Sequence, residues 1–319
     1  MTRINDSTLA VAFLKACQLD VLAVKPGNVF YAGPAYGMSA QDFIDSAEYS
    51  IQALLDARLT LGRRIEEAVE ASMFGVGFNT NLGIVLLCAP LLQAVQQYPR
   101  LPLPEAVAQV LAHTTREDAA AVYSAIRRAN PGGMGRVEQH DLSQAPQATL
   151  REVMVSAAER DQIARQYSND FALLFGELLP YYDQRLAQGG PQQLAASQLF
   201  LWLLSRHPDS HIQRKQGQAA AQRASESAAD CLRACREAPH ATDVMKHLLR
   251  LDREFKGEGL NPGTSADLCV ATFLSHRLLQ QVEVLAGADP DCSRVPKPKV
   301  ARITRLSTSQ PLEGDKQWL

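Results

Sequence analysis

Apolar residues recur at three- and four-residue intervals along most of this chain, and that spacing restricts its fold more than any other feature. Leu9, Ala12, Phe13 and Ala16 mark one stripe, behind the polar start "NDST". Phe43, Ala47, Ile51 and Leu55 mark a second, preceded by Ser39 and Asp42, and Ile65, Ala68, Val69, Ser72 and Met73 a third. A 3.6-residue period puts such residues on one helix face, with Ser, Asp and Asn as starting caps. "REDAAAVYSAIRRAN", "LREVMVSAAERDQIARQYSNDFALLFGELL" and "SADLCVATFLSHRLLQQVEVL" extend the pattern. No alternating apolar–polar run bounded by turns reads as a strand. The expected fold is all-α: a single compact multi-helix domain over residues 1–287, its polar loops at helix ends forming one nucleotide-binding cleft. Residues 288–319, rich in Pro, Ser and charge, read as an extended or partly disordered tail.

The chain has 319 residues, 46% of them apolar, enough to bury a core. Its 32 Lys and Arg balance 34 Asp and Glu, so no basic field points to nucleic acid or to a membrane surface. The run "LGIVLLCAPLL" is too short to span a bilayer and contains Pro90. With no signal-peptide layout at the start, a cytoplasmic protein is expected. Six scattered cysteines complete no zinc pattern and read as reduced, buried thiols.

Four polar segments stand beside predicted helix ends, where free backbone N–H groups and the helix dipole favour anions. "KPGNVF" offers Lys25 and Asn28 on a Pro-Gly turn, an ammonium and an amide suited to phosphate. "GVGFNTNLG" sets Asn79, Thr80 and Asn81 before an apolar helix, as caps or as partners for ribose hydroxyls. In "HPDSHIQRKQG", Asp209 and Ser210 read as a helix start, and His211, Arg214 and Lys215 share one face that fits a di- or triphosphate. In "NPGTSADL", Asn261 and Gly263 precede Thr264, read as the N-cap, with Asp267 at capping-box spacing. A fifth segment, "NPGGMG" at 130–135, could bring glycine backbone close to phosphate.

The order and spacing of "KPGNV", "NTNLG", "PDSHIQRKQG" and "NPGTSADL" resemble the triphosphoribosyl-dephospho-CoA synthase family over most of residues 10–285. The forms "NTNLGIVLLCAPL", "ANPGGMG", "RDQIARQY" and "DSHIQRK" are most similar to a branch associated with tetrahydromethanopterin-dependent one-carbon metabolism. The resemblance implies a helical transferase that moves the triphosphoribosyl group of ATP to the 2′-hydroxyl of 3′-dephospho-CoA and releases adenine. A pterin-type acceptor is the alternative, and a homodimer is left open.

Cleavage at ribose C1 passes through an oxocarbenium-like state, which calls for a phosphate clamp, a carboxylate and a donor to the departing base. For that chemistry Lys25, Arg214 and Lys215 are the expected clamp, and Asn28, Asn79, Thr80, Asn81, Ser210, Asn261, Gly263 and Thr264 further binding groups. Asp209 and Asp267 are expected to hold Mg2+ or act as general base, with Asp118 a third carboxylate and His211 a general acid. A non-catalytic helical nucleotide binder and a helical hydrolase with a carboxylate-bound metal are the competing classes.

Overall fold

The computed structural model describes residues 4–132 and 142–287, so the tail from 288 and the second half of "NPGGMG" lie outside the described residues. All regular structure among them is helical, as the periodicity requires. In chain order the helices are α1 (Asp6–Leu22), α2 (Ala40–Leu55), α3 (Leu61–Val76), α4 (Leu82–Gln97), α5 (Leu103–Ala112), α6 (Arg116–Ala129) and α7 (Leu150–Ala157). There follow α8 (Gln162–Ser168), a π-helical turn (Leu174–Leu178), α9 (Leu179–Ala187), α10 (Gln192–Arg206), α11 (Ser210–Gln216), α12 (Gln218–Glu237), α13 (Ala241–Gly257) and α14 (Gly263–Gly287).

The most apolar helix, α4, packs on α14 at the centre. Almost every residue of α4 is buried, and so is the expected α14 stripe of Ala266, Val270, Leu274 and Leu278. Helices α1, α5 and α10 pack on this pair, and α2, α3 and α6 on one side and α12 and α13 on the other extend the core outward. On α1 the buried face includes the predicted Leu9, Ala12, Phe13 and Ala16.

Pro90 sits inside α4 and cannot donate to the carbonyl one turn back, at Leu86. The orphaned oxygen is repaid across the core, where buried Tyr167 donates to Leu86 O at 2.6 Å.

The long segment from Leu150 is not one helix. Asp161 caps a fresh start, accepting from Ile163 N and Ala164 N, and positive φ at Asp170 and Phe171 turns the chain again. Caps thus override periodicity where a short polar side chain satisfies several N–H groups at once. Ser39 and Asp42 form the capping box expected for α2. The five cysteines among the described residues are free and buried, and no helix there is long and apolar enough to cross a membrane.

Three polar residues marked as site candidates serve the frame. Asp118 closes the capping box of α6 and accepts from Gly62 N at 2.8 Å, fastening α3 to α6. Asn81 is buried and bonds Ser46 O, Ser50 Oγ and Ser72 Oγ, joining α2, α3 and α4. Asp209 is wholly buried. Its Oδ1 accepts from His211 N and Ile212 N, and its Oδ2 accepts from Ser265 N and Ser265 Oγ at 2.7 and 2.8 Å. Replacing Asp209 by Ala should strip four donors of their partner and lower stability by about 2–4 kcal/mol, read as a shifted urea midpoint. An unchanged midpoint would return Asp209 to the list of free functional groups.

Candidate active site

The start of α14 is where the four polar segments meet. Asn28 of the first segment donates from Nδ2 to Asn261 Oδ1 at 2.8 Å. Gly27, at φ +81°, lets that turn press against Leu260, where a Cβ would stand 2.5 Å from the carbonyl oxygen. Gly83, which ends "NTNLG", lies against Asp267, and a Cβ there would fall 2.0 Å from Oδ2. Only glycine leaves space for that carboxylate beside the first turn of α4. In the third segment Ser210 Oγ donates to Thr264 Oγ1 at 3.1 Å, and the His211 ring rests over Gly263.

These contacts frame one cavity of about 1030 Å³, at the upper end of small-molecule sites and large enough for two substrates together. Asn28, Asn79, Thr80, His211, Arg214, Lys215, Asn261, Gly263, Thr264 and Asp267 line it, as do Asn130, Pro131 and Gly132. Lys25, Asn81, Asp118, Asp209 and Ser210 do not. Lys25 lies behind the wall, fully buried, with its ammonium on Asp20 Oδ2 at 2.5 Å and Asn28 Oδ1 at 2.9 Å.

Local rules place several of these groups differently from the sequence reading. The side chain of Asn81 makes no cap for α4; Asn79 Oδ1 accepts from Leu82 N instead, at 3.2 Å. Helix α14 begins at Gly263, so Thr264 lies in its first turn rather than at the N-cap. Asp267 consequently reaches back to no cap and makes no hydrogen bond among the described residues.

The cavity carries charge of both signs. Its cations are Arg128, Arg160, Arg214 and Lys215. Arg128 pairs with Glu70 and Arg214 with Asp161, each at 3.1 Å, whereas Arg160 and Lys215 form no ion pair among the described residues. Its carboxylates are Asp20, Asp161 and Asp267. Burial and then the charge of Asp20 push the Asp267 carboxyl well above the usual range. Burial, Lys215 and Arg214 push the His211 imidazole down to about 4, so it is neutral near pH 7. Its Nε2 is buried without a partner among the described residues.

Asp20, Arg128, Arg160, Asp161 and Gly83 were not singled out from sequence. For Asp20 a signal existed: it extends the stripe of Leu9, Ala12 and Ala16 by four residues, which sets a carboxylate on a buried face. For Arg128, Arg160 and Asp161 none did, because exposed cations and helix caps are common.

Asp209 is not free to hold the expected Mg2+, because both of its oxygens are taken by backbone and hydroxyl donors.

Comparison with known proteins identifies a family. The family model for ATP:dephospho-CoA triphosphoribosyl transferase matches residues 6–284. A crystal structure from Archaeoglobus fulgidus, of a protein provisionally assigned as a triphosphoribosyl-dephospho-CoA synthase, superposes with a TM-score of 0.56 at 25% identity. The match covers 72% of this chain and 96% of that one. No curated protein matches. The family match, over nearly the whole described length, places this chain in the ATP:dephospho-CoA triphosphoribosyl transferase family.

Proposed function

We propose that the protein transfers the triphosphoribosyl group of ATP to a hydroxyl of a dephospho-CoA-like acceptor and releases adenine. The observation that carries this reading is one cavity that holds Arg160 and Lys215, cations without an ion pair among the described residues, together with Asp267, a carboxylate without a hydrogen bond among them. A triphosphate suits the cations and an activated hydroxyl the carboxylate.

Arg160, Arg214 and Lys215 bind the triphosphate, with Arg214 held in place by Asp161. Asn28, Asn261 and Thr264 face the sugar. Asp267 in its ionised form, made a stronger base by burial, accepts the proton of the acceptor hydroxyl. Its oxygen bonds to ribose C1′ as the bond from C1′ to adenine N9 breaks. The bonding pair leaves with adenine, which takes up one proton, so one proton passes overall from hydroxyl to adenine. His211 enters as a neutral imidazole; it becomes an acid only if bound phosphate raises its proton affinity.

Incubation with ATP, Mg2+ and dephospho-CoA should release free adenine, read by chromatography. Release with a reduced pterin and not with dephospho-CoA would move the acceptor to the one-carbon branch, and ADP or AMP in place of adenine would sink the reading. Asp267→Asn should lower kcat about 10²–10³-fold while ATP still binds. Arg214→Ala and Lys215→Ala should each weaken ATP about tenfold by calorimetry, and added salt should weaken it further.

The histidine makes a separate forecast. The imidazole resonances of His211 should titrate near pH 4 in the free protein and higher with ATP bound. Because the unfolded state binds this proton more readily, its contribution to stability is lost as pH falls from 6.5 toward 4. A midpoint near 6.5 without ATP would contradict the burial argument.

A further inference from the structure

Asp20 lines the cavity wall, and neither capping nor packing accounts for its free oxygen. It stands at the C-terminal end of α1 with its side chain 3% exposed. Oδ2 accepts from Lys25 at 2.5 Å, while Oδ1 has no hydrogen-bond partner among the described residues. A carboxylate left half-satisfied at that depth is costly and needs a reason. An ion pair kept only for the frame would bond both oxygens, as Asp209 and Asp118 do.

The surroundings hold the pair in place and decide its charge. Lys25 also donates to Asn28, which donates in turn to Asn261, so the ion pair is braced from two sides. Asp267 is the neighbouring carboxyl on the wall, and no cation is bonded to it among the described residues. It is therefore the stronger base of the two and the one that takes up a proton, while Asp20 keeps its charge. Two carboxyls in different surroundings take different roles, as in glycoside cleavage.

We propose that Asp20 is a catalytic carboxylate of the transfer, kept ionised by Lys25 and set against the positive charge that develops at ribose C1′ as adenine leaves. This rests on the adenine-releasing reading above. Asp20 gains and loses no proton: the C1′–N9 pair departs with adenine, the acceptor oxygen bonds C1′, and Asp267 takes the hydroxyl proton. A fixed negative charge in a dry wall favours the cationic transition state over neutral ribose, which is the difference that accelerates a reaction.

Asp20→Asn alone would strand a buried ammonium and could fail to fold. The test therefore pairs it with D20N/K25M, which removes both charges and should melt close to the wild type. The double variant should bind ATP within about threefold of wild type but release adenine about 10²–10³-fold more slowly. A second probe, a protonated iminosugar analogue of ribose 5-triphosphate, should bind wild type more tightly than a neutral ribose 5-triphosphate and lose that preference in the variant. Wild-type turnover in D20N/K25M, or equal weakening of the charged and neutral analogues, would reduce Asp20 to a structural residue. If the wild type releases no adenine with any acceptor, the transferase reading falls first and this proposal with it.

Discussion

A single buried carboxylate, Asp209, decides where the cavity can be. With two oxygens it gathers four donors, two from the first turn of α11 and two from Ser265 in the first turn of α14. Burial pushes this carboxyl up, and the four hydrogen bonds oppose that cost. Helices 54 to 56 residues apart in sequence are thereby locked start to start. His211, Arg214 and Lys215 then face the same space as Gly263, Thr264 and Asp267. The interaction touches no substrate in this account, yet every cavity-lining group on these two helices is positioned by it.

The charged groups of the cavity come from several elements. Arg214 and Lys215 stand on α11 and Arg128 on α6, Arg160 follows α7, and the carboxylates Asp20 and Asp267 stand on α1 and α14. Lys25 lies beside Asp20, although its sequence context suggested a phosphate clamp. Its ammonium is held by Asp20 and Asn28, and among the described residues the cavity cations without an ion pair are Arg160 and Lys215.

Much of the frame was legible in sequence because its causes are local. The stripes on α1 and α14 appear as buried faces where the 3.6-residue period puts them, and on α2 Ala47 and Leu55 are buried while Phe43 and Ile51 are half-buried. The start at Asp209 and the capping box at Ser39 were legible for the same reason. The breaks at Asp161 and Asp170 were not, because apolar spacing runs through them unbroken. At the site, the four motifs were found in the right order, but the roles of their members divided. Asn81, Asp118 and Asp209 carry the same atoms whether they cap helices or bind ligands, and only their neighbours distinguish the two. Asp20 was overlooked for the converse reason: an acid on an apolar stripe is informative only once the stripe is known to be buried.

The sequence by itself determined a helical chain whose polar segments gather at helix starts, since period and capping depend on residues a few positions apart. Only the tertiary structure decided which of those polar groups remain free. A carboxylate becomes a staple when distant donors fill its lone pairs, as Ser265 does for Asp209, and keeps its lone pairs when none arrive, as at Asp267 among the described residues. That outcome depends on packing between helices far apart in sequence, and a linear pattern carries no record of it. The glycines at 27 and 83 mark the two places where the record comes nearest, each a missing side chain whose reason is a neighbour far away in sequence.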